Sequence, residues 1–268
     1  MPNDAATLET LQPGIALLRL TRATRLNALS LPDLQFLHAL LDTCLADASL
    51  RVLVISGEGE GFCAGLNLKS LLDENGQLPA TVRENMDLQQ HFAGLVQRLR
   101  ETSVAVIAAV NGVAVGAGMA LALAADVRFA AQQAAFHVGA IKIGITAGEC
   151  GISYHLPRLI GAGRAFELML SGRPVAADEA LRIGLVSEVL PAAELLERAL
   201  QCARQIAAHA PYATAHTKRL MWQNLDAPSL AAAIELENHA QVLGLMTEDF
   251  QEAVQAFLHK RSPVFTGR

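Results

Sequence analysis

The segment VAVIAAVNGVAVGAGMALALAADVRFA, residues 104–130, joins a strand to a helix through a glycine-rich turn. Residues 104–110 are uncharged and rich in β-branched side chains, which is typical of a strand buried on both faces. Asn111-Gly112 is a turn signal, and residues 117–125 have the composition of a buried helix. A short strand is expected at 127–130. This alternation of strands and helices predicts an α/β fold.

A second segment, VLVISGEGEGFCAGLNLKSL at residues 52–71, has the same order of strand, glycine-rich turn and helix start. The first backbone N–H groups of a helix have no intrahelical partner and lie at the positive end of its dipole. If the two helix starts face each other, their N–H groups can bind one developing oxyanion. The alternative is that the glycines only permit tight packing. Neither segment contains GxxxxGK[ST] or GxGxxG, so neither is predicted to be a nucleotide phosphate loop.

The rest of the chain continues the alternation and then becomes helical. Further strands are expected at residues 15–20, 135–137 and 185–190. Helices are expected at about 31–48, 81–101, 154–160, 164–170 and 176–183, with a shorter one at LKSLLD near Asn67. Side chains expected on one stripe of the second of these helices are Val82, Met86, Phe92, Val96 and Leu99. Beyond Pro191 the pattern is helical, so a C-terminal helical region is predicted, with its boundary between 191 and 210.

The composition excludes several classes of protein. The chain has 268 residues, 52% of them hydrophobic and 18% charged, which excludes an intrinsically disordered chain. Its net charge of −5 argues against nucleic-acid binding, which normally needs a basic excess. Residues 102–125 carry no charge and include Gly112-x-x-x-Gly116. Because a turn signal interrupts that stretch, a membrane-spanning helix is not expected there.

The four cysteines, Cys44, Cys63, Cys150 and Cys202, are scattered and form no CxxC pair. This usage predicts reduced, mostly structural thiols and a cytoplasmic location. No histidine lies near them at zinc-ligand spacing, so no metal site is expected. The first fourteen residues contain two acids, no base and no apolar run, and a signal peptide is not expected.

Four blocks resemble the enoyl-CoA hydratase/isomerase (crotonase) superfamily: residues 24–30 (TRLNALS), 62–71 (FCAGLNLKSL), 106–130 (VIAAVNGVAVGAGMALALAADVRFA) and 156–190 (LPRLIGAGRAFELMLSGRPVAADEALRIGLVSEVL). The similarity extends from about Gly14 to Phe265. It implies a spiral of ββα repeats over residues 1–195 and a helical trimerisation region over 196–268. It also implies a homotrimer or a dimer of trimers. The implied substrate is an acyl-CoA thioester, with coenzyme A present only as part of that substrate and no other cofactor.

The resemblance also implies particular binding groups. The thioester oxygen would lie between the backbone N–H groups of Leu66 and Ala117. Residues implied near coenzyme A or in the two small-residue turns are Arg25, Ala64, Gly65, Lys69, Gly116 and Gly118. For Arg25 and Lys69, the alternative is an ordinary solvated surface charge.

The chain departs from the family at both positions where hydratases of this type carry glutamate, because Ala120 and Ala140 stand there. Neither alanine can exchange a proton, so ordinary two-glutamate hydration is not expected. The predicted replacement is Glu149, in a glycine-bounded loop that the fold brings to the acyl pocket. Its apolar neighbours would raise its pKa and suit it to proton abstraction. The alternative is an exposed loop acid or a subunit-contact residue.

Secondary candidates are His137 and His155, each of which is more typical of a structural histidine. Cys63 and Cys150 are expected to pack rather than act as nucleophiles, and Glu235 and Glu237 are expected on the surface. The predicted function is therefore that of an acyl-CoA enzyme with one catalytic carboxylate. It would isomerise an enoyl-CoA or open a cyclic β-keto acyl-CoA by hydrolysis, and slow hydration stays possible. A degenerate coenzyme A-binding or RNA-associated member with little catalysis is the alternative.

Overall fold

The computed structural model describes residues 4–73, 75–78 and 81–268. Apolar alternating and β-branched segments form strands β1 Ala6–Gln12, β2 Ile15–Leu20, β3 Val52–Gly57, β4 Gly61–Cys63, β5 Ala105–Val110, β6 Val113–Val115, β7 Val127–Ala131, β8 Ala135–His137, β9 Val175–Ala176 and β10 Glu188–Leu190. Single 3₁₀ turns occur at Ala23–Arg25, Leu68–Leu71 and Gly139–Ile143.

The helices alternate with these strands as far as β10 and then follow one another. They are α1 Leu31–Leu45, α2 Val82–Glu101, α3 Ala117–Ala124, α4 Ile152–Ile160, α5 Ala162–Ser171, α6 Ala177–Arg182, α7 Ala192–Ala207, α8 Pro211–Asn224, α9 Leu230–Leu245 and α10 Glu248–Leu258. Within the described residues, no helix is both long and apolar enough to cross a membrane.

The strands form two sheets that the chain visits in turn. The larger sheet has the order β1-β2-β3-β5-β7-β10 and the smaller one the order β4-β6-β8-β9. Neighbouring strands from β2 to β10 in the larger sheet are parallel. Because β3, β5 and β7 each pass directly into β4, β6 and β8, each repeat crosses from the larger to the smaller sheet. The repeats therefore stack along the chain as a spiral of ββα units.

Strands β2, β3, β5 and β7 of the larger sheet are buried on both faces, as expected of parallel strands. Successive side chains of β3 point to opposite faces, so Leu53 and Ile55 join the cluster under α1–α3 whereas Val52 and Val54 join the cluster under α7. Helix α7 therefore covers the outer face of the sheet. The division of the chain between residues 195 and 196 stays a prediction.

The structure corrects several element boundaries. Strand β1 is not expected from the sequence, because it is a mostly exposed edge strand with polar residues. Its extended structure depends on antiparallel pairing with β2. LKSLLD forms only one 3₁₀ turn, whose apolar residues Leu68 and Leu72 are exposed and give a longer helix nothing to bury. The last strand begins at Glu188 rather than 185, because the amide of Leu185 still donates to Ala180 and closes α6.

The predicted stripe of α2 is only half correct. Phe92, Val96 and Leu99 are buried in the core, but Val82 is 82% exposed and Met86 is 52% exposed. Helix α2 is longer than the surface under it, so its first two turns extend beyond the core.

Lys218 anchors α8 to the spiral. Its ammonium group donates to the carbonyls of Leu99 and Val104, both at 2.8 Å, and lies 3.0 Å from the carboxylate of Asp126. The side chain is buried, and this burial lowers the pKa of Lys218 against the opposing effect of Asp126. The Lys218 contacts therefore attach the C-terminal helices to the end of α2 and the start of β5.

Replacing Lys218 with methionine is expected to lower the free energy of unfolding by about 3 kcal/mol, because the variant removes the cation that pairs with Asp126 and leaves two buried carbonyls without their donor. Urea unfolding of this variant beside the exposed-site variant Lys260→Met measures the effect. The control is expected to stay within about 0.5 kcal/mol of the parent. A loss below about 1 kcal/mol in Lys218→Met would mean that other contacts hold α8.

Candidate active site

The two glycine-rich turns meet with almost no space between their backbones. A Cβ atom on Gly118 would lie 1.9 Å from the carbonyl oxygen of Cys63. A Cβ atom on Gly65, where φ is +76°, would lie 2.6 Å from the oxygen of Val115 and 3.3 Å from the nitrogen of Ala117. Side chains are therefore excluded where the start of α3 touches the loop after β4.

Two backbone N–H groups at this contact have no backbone acceptor within the part of the chain that the structure describes. Leu29 bonds to the residues on either side of Leu66, donating to the oxygen of Gly65 at 2.7 Å and accepting from Asn67 at 2.9 Å, so the Leu66 amide is not used. Ala117 is the first residue of α3, and such amides lack an intrahelical acceptor. The structure thus brings the turns of Leu66 and Ala117 together.

Glu149 lies beside the same contact. Its Oε1 atom is 2.8 Å from the position that a Cβ on Gly116 would occupy, so the carboxylate rests where that glycine leaves space. Burial raises the pKa of Glu149. No hydrogen-bond partner of this carboxylate is found among residues 4–73, 75–78 and 81–268. The Glu149 carboxylate is therefore half-buried and without a counter-ion in this part of the chain. It lies beside Gly116, which directly precedes Ala117.

A sharp turn presents Glu149 at the start of α4. Cys150 has φ +46° and Gly151 has φ +81°, and the amide of Ile152 donates back to the carbonyl of Glu149 at 2.8 Å. A positive φ is uncommon for a residue with a side chain and costs about 1–3 kcal/mol. The amide of Gln89 on α2 donates to the Cys150 thiol at 3.4 Å. The sequence pattern does not indicate Gln89, because its partner Cys150 is 61 residues further along the chain.

The other predicted residues differ in their exposure to solvent. Ala120 and Ala140 are buried, at 0% and 5% exposure. Because both are alanines, neither position offers an acid or a base. The amide of Ala64 donates to the carbonyl of Leu26 at 2.8 Å, which ties the loop after β4 to the segment containing Arg25. The side chains of Arg25 and Lys69 are exposed.

The two histidine candidates lie in different surroundings. His137 is at the end of β8, where its carbonyl accepts from the amide of Gly116 at 2.9 Å, and burial followed by Lys142 lowers the pKa of its ring. His155 is in the first turn of α4, six residues after Glu149, and packs edge-on against Trp222. Burial, with nearby arginines, lowers the pKa of His155 to about 4. The ring of His155 therefore packs towards Trp222 and not towards Gly116, so the structure does not bring it to the Glu149 carboxylate.

The cysteines and the C-terminal glutamates occupy ordinary positions. All four cysteines are free thiols. Burial raises the pKa of Cys63 and of Cys150 to about 12, which leaves both protonated at neutral pH. Glu235 and Glu237 are exposed, and they contact His239 and Asn224 respectively. Among the residues that the structure describes, no group of three or more His, Cys, Asp or Glu side chains could hold a metal ion.

This arrangement supports one kind of chemistry. Two unused N–H groups can stabilise negative charge that develops on a carbonyl oxygen. A carboxylate with a raised pKa next to them can remove a proton from the carbon beside that carbonyl. The pair suits proton transfer through an enolate.

Comparison with known proteins gives consistent matches along the chain. The family model described as enoyl-CoA hydratase/isomerase matches residues 10–268. A protein of Mycobacterium bovis named probable enoyl-CoA hydratase echA12 is 42% identical over 260 residues, covering 95% of this chain and 90% of its own length. The 1,2-epoxyphenylacetyl-CoA isomerase of Escherichia coli is 35% identical over 266 residues, covering 97% and 98%. The crystal structure of an enoyl-CoA hydratase from Bacillus anthracis superposes with a TM-score of 0.92 at 32% identity, covering 98% and 100%.

Proposed function

Because the chain belongs to the enoyl-CoA hydratase/isomerase family and has its crotonase-type spiral, we propose that it moves a proton within an acyl-CoA thioester by means of a single carboxylate, that of Glu149. The amides of Leu66 and Ala117 hold the thioester oxygen in this proposal. The observation that carries the proposal is that Glu149 Oε1 lies 2.8 Å from the position that a Cβ atom on Gly116 would occupy. Gly116 is the residue before Ala117. Acid–base group and oxyanion donor are thereby adjacent.

The proposed reaction is the isomerisation of an enoyl-CoA. Glu149 takes a proton from the carbon next to the thioester carbonyl, and the electron pair of that C–H bond moves onto the carbonyl oxygen as an enolate. The two amides stabilise this charge. Glu149 then returns the proton to the carbon at the far end of the double-bond system, so the double bond shifts and no water or oxidant is consumed.

Hydration is less compatible with the residues present. Adding water across a double bond requires one group to activate the water and another to deliver the proton in the arrangement that this family uses. Ala120 and Ala140 occupy the two expected positions and can do neither. The relative from Escherichia coli is named 1,2-epoxyphenylacetyl-CoA isomerase, which supports the rearrangement of an acyl-CoA without a gain of water, whereas the relative from Mycobacterium bovis is named a probable enoyl-CoA hydratase.

The second candidate is hydrolytic opening of a cyclic β-keto acyl-CoA. Here Glu149 would take a proton from a water that attacks the β-carbonyl, the bond between the α- and β-carbons would break, and its electron pair would move onto the thioester oxygen as an enolate held by the same two amides. Glu149 would then return the proton to the α-carbon, which leaves a ring-opened product with a free carboxyl group. This reaction also needs one carboxylate, which is why the half-buried Glu149 without a counter-ion favours it over hydration. A member that only binds coenzyme A would show neither reaction.

Mass spectrometry with three panels of CoA thioesters separates these functions. Enoyl-, dienoyl- and cyclic β-keto-CoA substrates are incubated with the protein and their products are compared in mass and retention time. Isomerisation gives an unchanged mass with a new retention time, and ring opening or hydration adds one water. An unchanged substrate in all three panels would contradict the proposal of catalysis.

The pH dependence of turnover is expected to show an acid limb above the range of an ordinary glutamate. Burial raises the pKa of Glu149, and only the ionised carboxylate can accept a proton. We therefore expect kcat/KM to be low at pH values below this raised pKa and to increase as the pH rises through it. Initial rates between pH 4.5 and 8.5, with circular dichroism at each pH, measure this. A flat profile over a range in which the protein stays folded would contradict the role of Glu149 as base.

Further parts of the proposal concern binding and assembly. Arg25 and Lys69 would contact coenzyme A, while Ala64, Gly65, Gly116 and Gly118 leave room for the thioester. Coenzyme A would enter only as part of the substrate, and no other cofactor is proposed. Exposed apolar side chains on the C-terminal helices, including Leu243, Met246 and Phe257, support a homotrimer or a dimer of trimers, which the mass in solution tests. The free thiols support a cytoplasmic location.

A further inference from the structure

A cavity lies between the C-terminal helices and the spiral. It has a volume of about 890 Å³, within the range of small-molecule sites in proteins. Glu149, Leu66 and Ala117 are not among its lining residues. Much of its wall is apolar, with contributions from Leu159, Ile206, Met221, Leu245, Phe250 and Phe265.

One part of this wall is polar and centres on Trp222. The indole N–H of Trp222 donates to the carboxylate of Asp126 at 2.7 Å, and Lys218 contacts the other oxygen of that carboxylate at 3.0 Å. The guanidinium group of Arg100 stacks on the Trp222 ring. The edge of His155 packs against the same ring. A charged cluster is therefore built around the indole, next to the apolar space.

This cluster has more positive than negative charge. It contains two carboxylates, Asp126 paired with Lys218 and Asp226 paired with Arg158. Two further cations, Arg100 and Arg128, have no carboxylate of their own in the cluster. Arg128 is 7% exposed and donates to the carbonyls of Leu185 and Ala125, and these neutral acceptors do not cancel its charge. Burial lowers the pKa of Arg100 and of Arg128 to about 10. A buried excess of positive charge costs free energy unless an anion offsets it.

The other carboxylate of the lining besides Asp126 is Asp249, and it does not supply that anion. It accepts from the backbone amides of Thr266 and Gly267 at 2.7 and 2.9 Å, and its charge acts on Arg51. Asp249 is thus engaged with the C-terminal segment of the chain.

Two buried nitrogen atoms of the cluster lack a hydrogen-bond partner among the residues that the structure describes. They are Nδ1 of His155 and Nη1 of Arg100. His155 is only 5% exposed and lines the cavity. An unmade hydrogen bond at a buried polar atom costs about 1–3 kcal/mol, so such atoms usually have a partner in the functional state of a protein. When the proton of the neutral ring is on Nδ1, this nitrogen needs an acceptor, and a negatively charged oxygen would satisfy it and offset the guanidinium charges as well.

We propose that this cavity binds an amphipathic carboxylate, that is, an unbranched apolar chain that ends in a free carboxyl group. The chain would lie against the apolar wall, and the carboxylate would accept from Nδ1–H of His155 beside Arg128. Neutral His155 has one ring N–H to donate, and the arginines supply the charge. This site is separate from the thioester site and does not depend on the reaction proposed for Glu149.

The protein has a built-in reporter, because Trp222 is the single tryptophan of its 268 residues and lines the cavity. Sodium dodecanoate, kept below its micelle concentration, is titrated into the full-length assembled protein at pH 7.5 while tryptophan emission is recorded. A saturable change is expected. Dodecanol, which lacks the charge, should bind at least ten-fold more weakly, and sodium acetate, which lacks the chain, should give no change.

Matched variants locate the binding. Ala253→Phe fills the cavity from α10 and is expected to abolish the change, whereas Ala193→Phe adds the same ring at an exposed position of α7 outside the cavity and should leave it intact. His155→Phe keeps a ring at the orphan position without its nitrogen and should raise the Kd for dodecanoate at least ten-fold. Thermal melting confirms that each variant is folded, and Ala253→Phe serves alone if His155→Phe is not.

Several results would overturn the proposal. One is the absence of a saturable change in tryptophan emission in the assembled protein, which is the result expected if a second copy of the chain covers the cavity. Another is equal affinity for dodecanol and dodecanoate, which would remove the role of the positive cluster. A third is equal binding by Ala253→Phe and Ala193→Phe, which would place the ligand elsewhere.

Discussion

Replacing Glu149 with glutamine is expected to lower kcat about 10²–10⁴-fold on the true substrate. Glutamine has the same shape as glutamate, so it can occupy the space beside Gly116, but its amide cannot accept a proton from carbon. The backbone amides of Leu66 and Ala117 do not depend on the side chain. The affinity for the CoA thioester should therefore stay within a few-fold of the parent.

The matched control is Glu58→Gln, which makes the same change at an exposed glutamate of the loop between β3 and β4. It should retain the turnover of the parent. Thermal melting and binding of an unreactive CoA thioester accompany both variants. Unchanged turnover in Glu149→Gln would remove Glu149 from the mechanism, and a parallel loss of binding would show that its role is to shape the pocket.

Replacing Gly118 with alanine is expected to disrupt both the fold and the site. The added Cβ would meet the carbonyl oxygen of Cys63 at 1.9 Å, a backbone atom that cannot rotate away. The start of α3 must then separate from the loop that carries Leu66. We expect poor folding, and in any folded fraction a loss of about 10²–10³-fold in kcat, the effect of removing one oxyanion donor.

Gly163→Ala provides a control of opposite sign. Gly163 is also helical, near the start of α5, and nothing lies within 4 Å of the position its Cβ would take. There alanine should stabilise the protein by roughly 0.5–1 kcal/mol, because it reduces the entropy of the unfolded chain. Chemical denaturation of the two variants compares them directly. Normal stability and normal turnover in Gly118→Ala would mean that the two turns are less tightly packed than this structure has them.

Much of the fold could be predicted because its signals are local. The uncharged β-branched run at 104–110 and the alanine-rich run after Gly116 each determine an element by composition, and the same holds for β3. Strand β1 was missed because its definition is a contact with β2, not a pattern of its own. The exposure of Val82 and Met86 was missed because periodicity reports which face of α2 they share, and not where the underlying core ends.

The candidate site shows the same limit more sharply. The resemblance to a family placed Glu149 near the acyl pocket, but its approach to Gly116 depends on how two turns 33 residues apart meet, which no local pattern encodes. His155 is six residues from Glu149 and was a candidate for the same site. The turn at Cys150 and Gly151 separates the two, so that one faces the glycine-rich contact and the other faces Trp222.

The glycine against which Glu149 rests also constrains how this chain could change its chemistry over evolution. Ala120 follows Gly116 by one helical turn on the same side of α3, so a glutamate restored there would bring a second carboxylate next to Glu149. Two acids so close repel each other when both are ionised, and one would keep its proton at neutral pH. A chain with acids at both positions would therefore have one carboxyl group that cannot accept a proton at neutral pH, so adding the second acid changes the work that Glu149 can do.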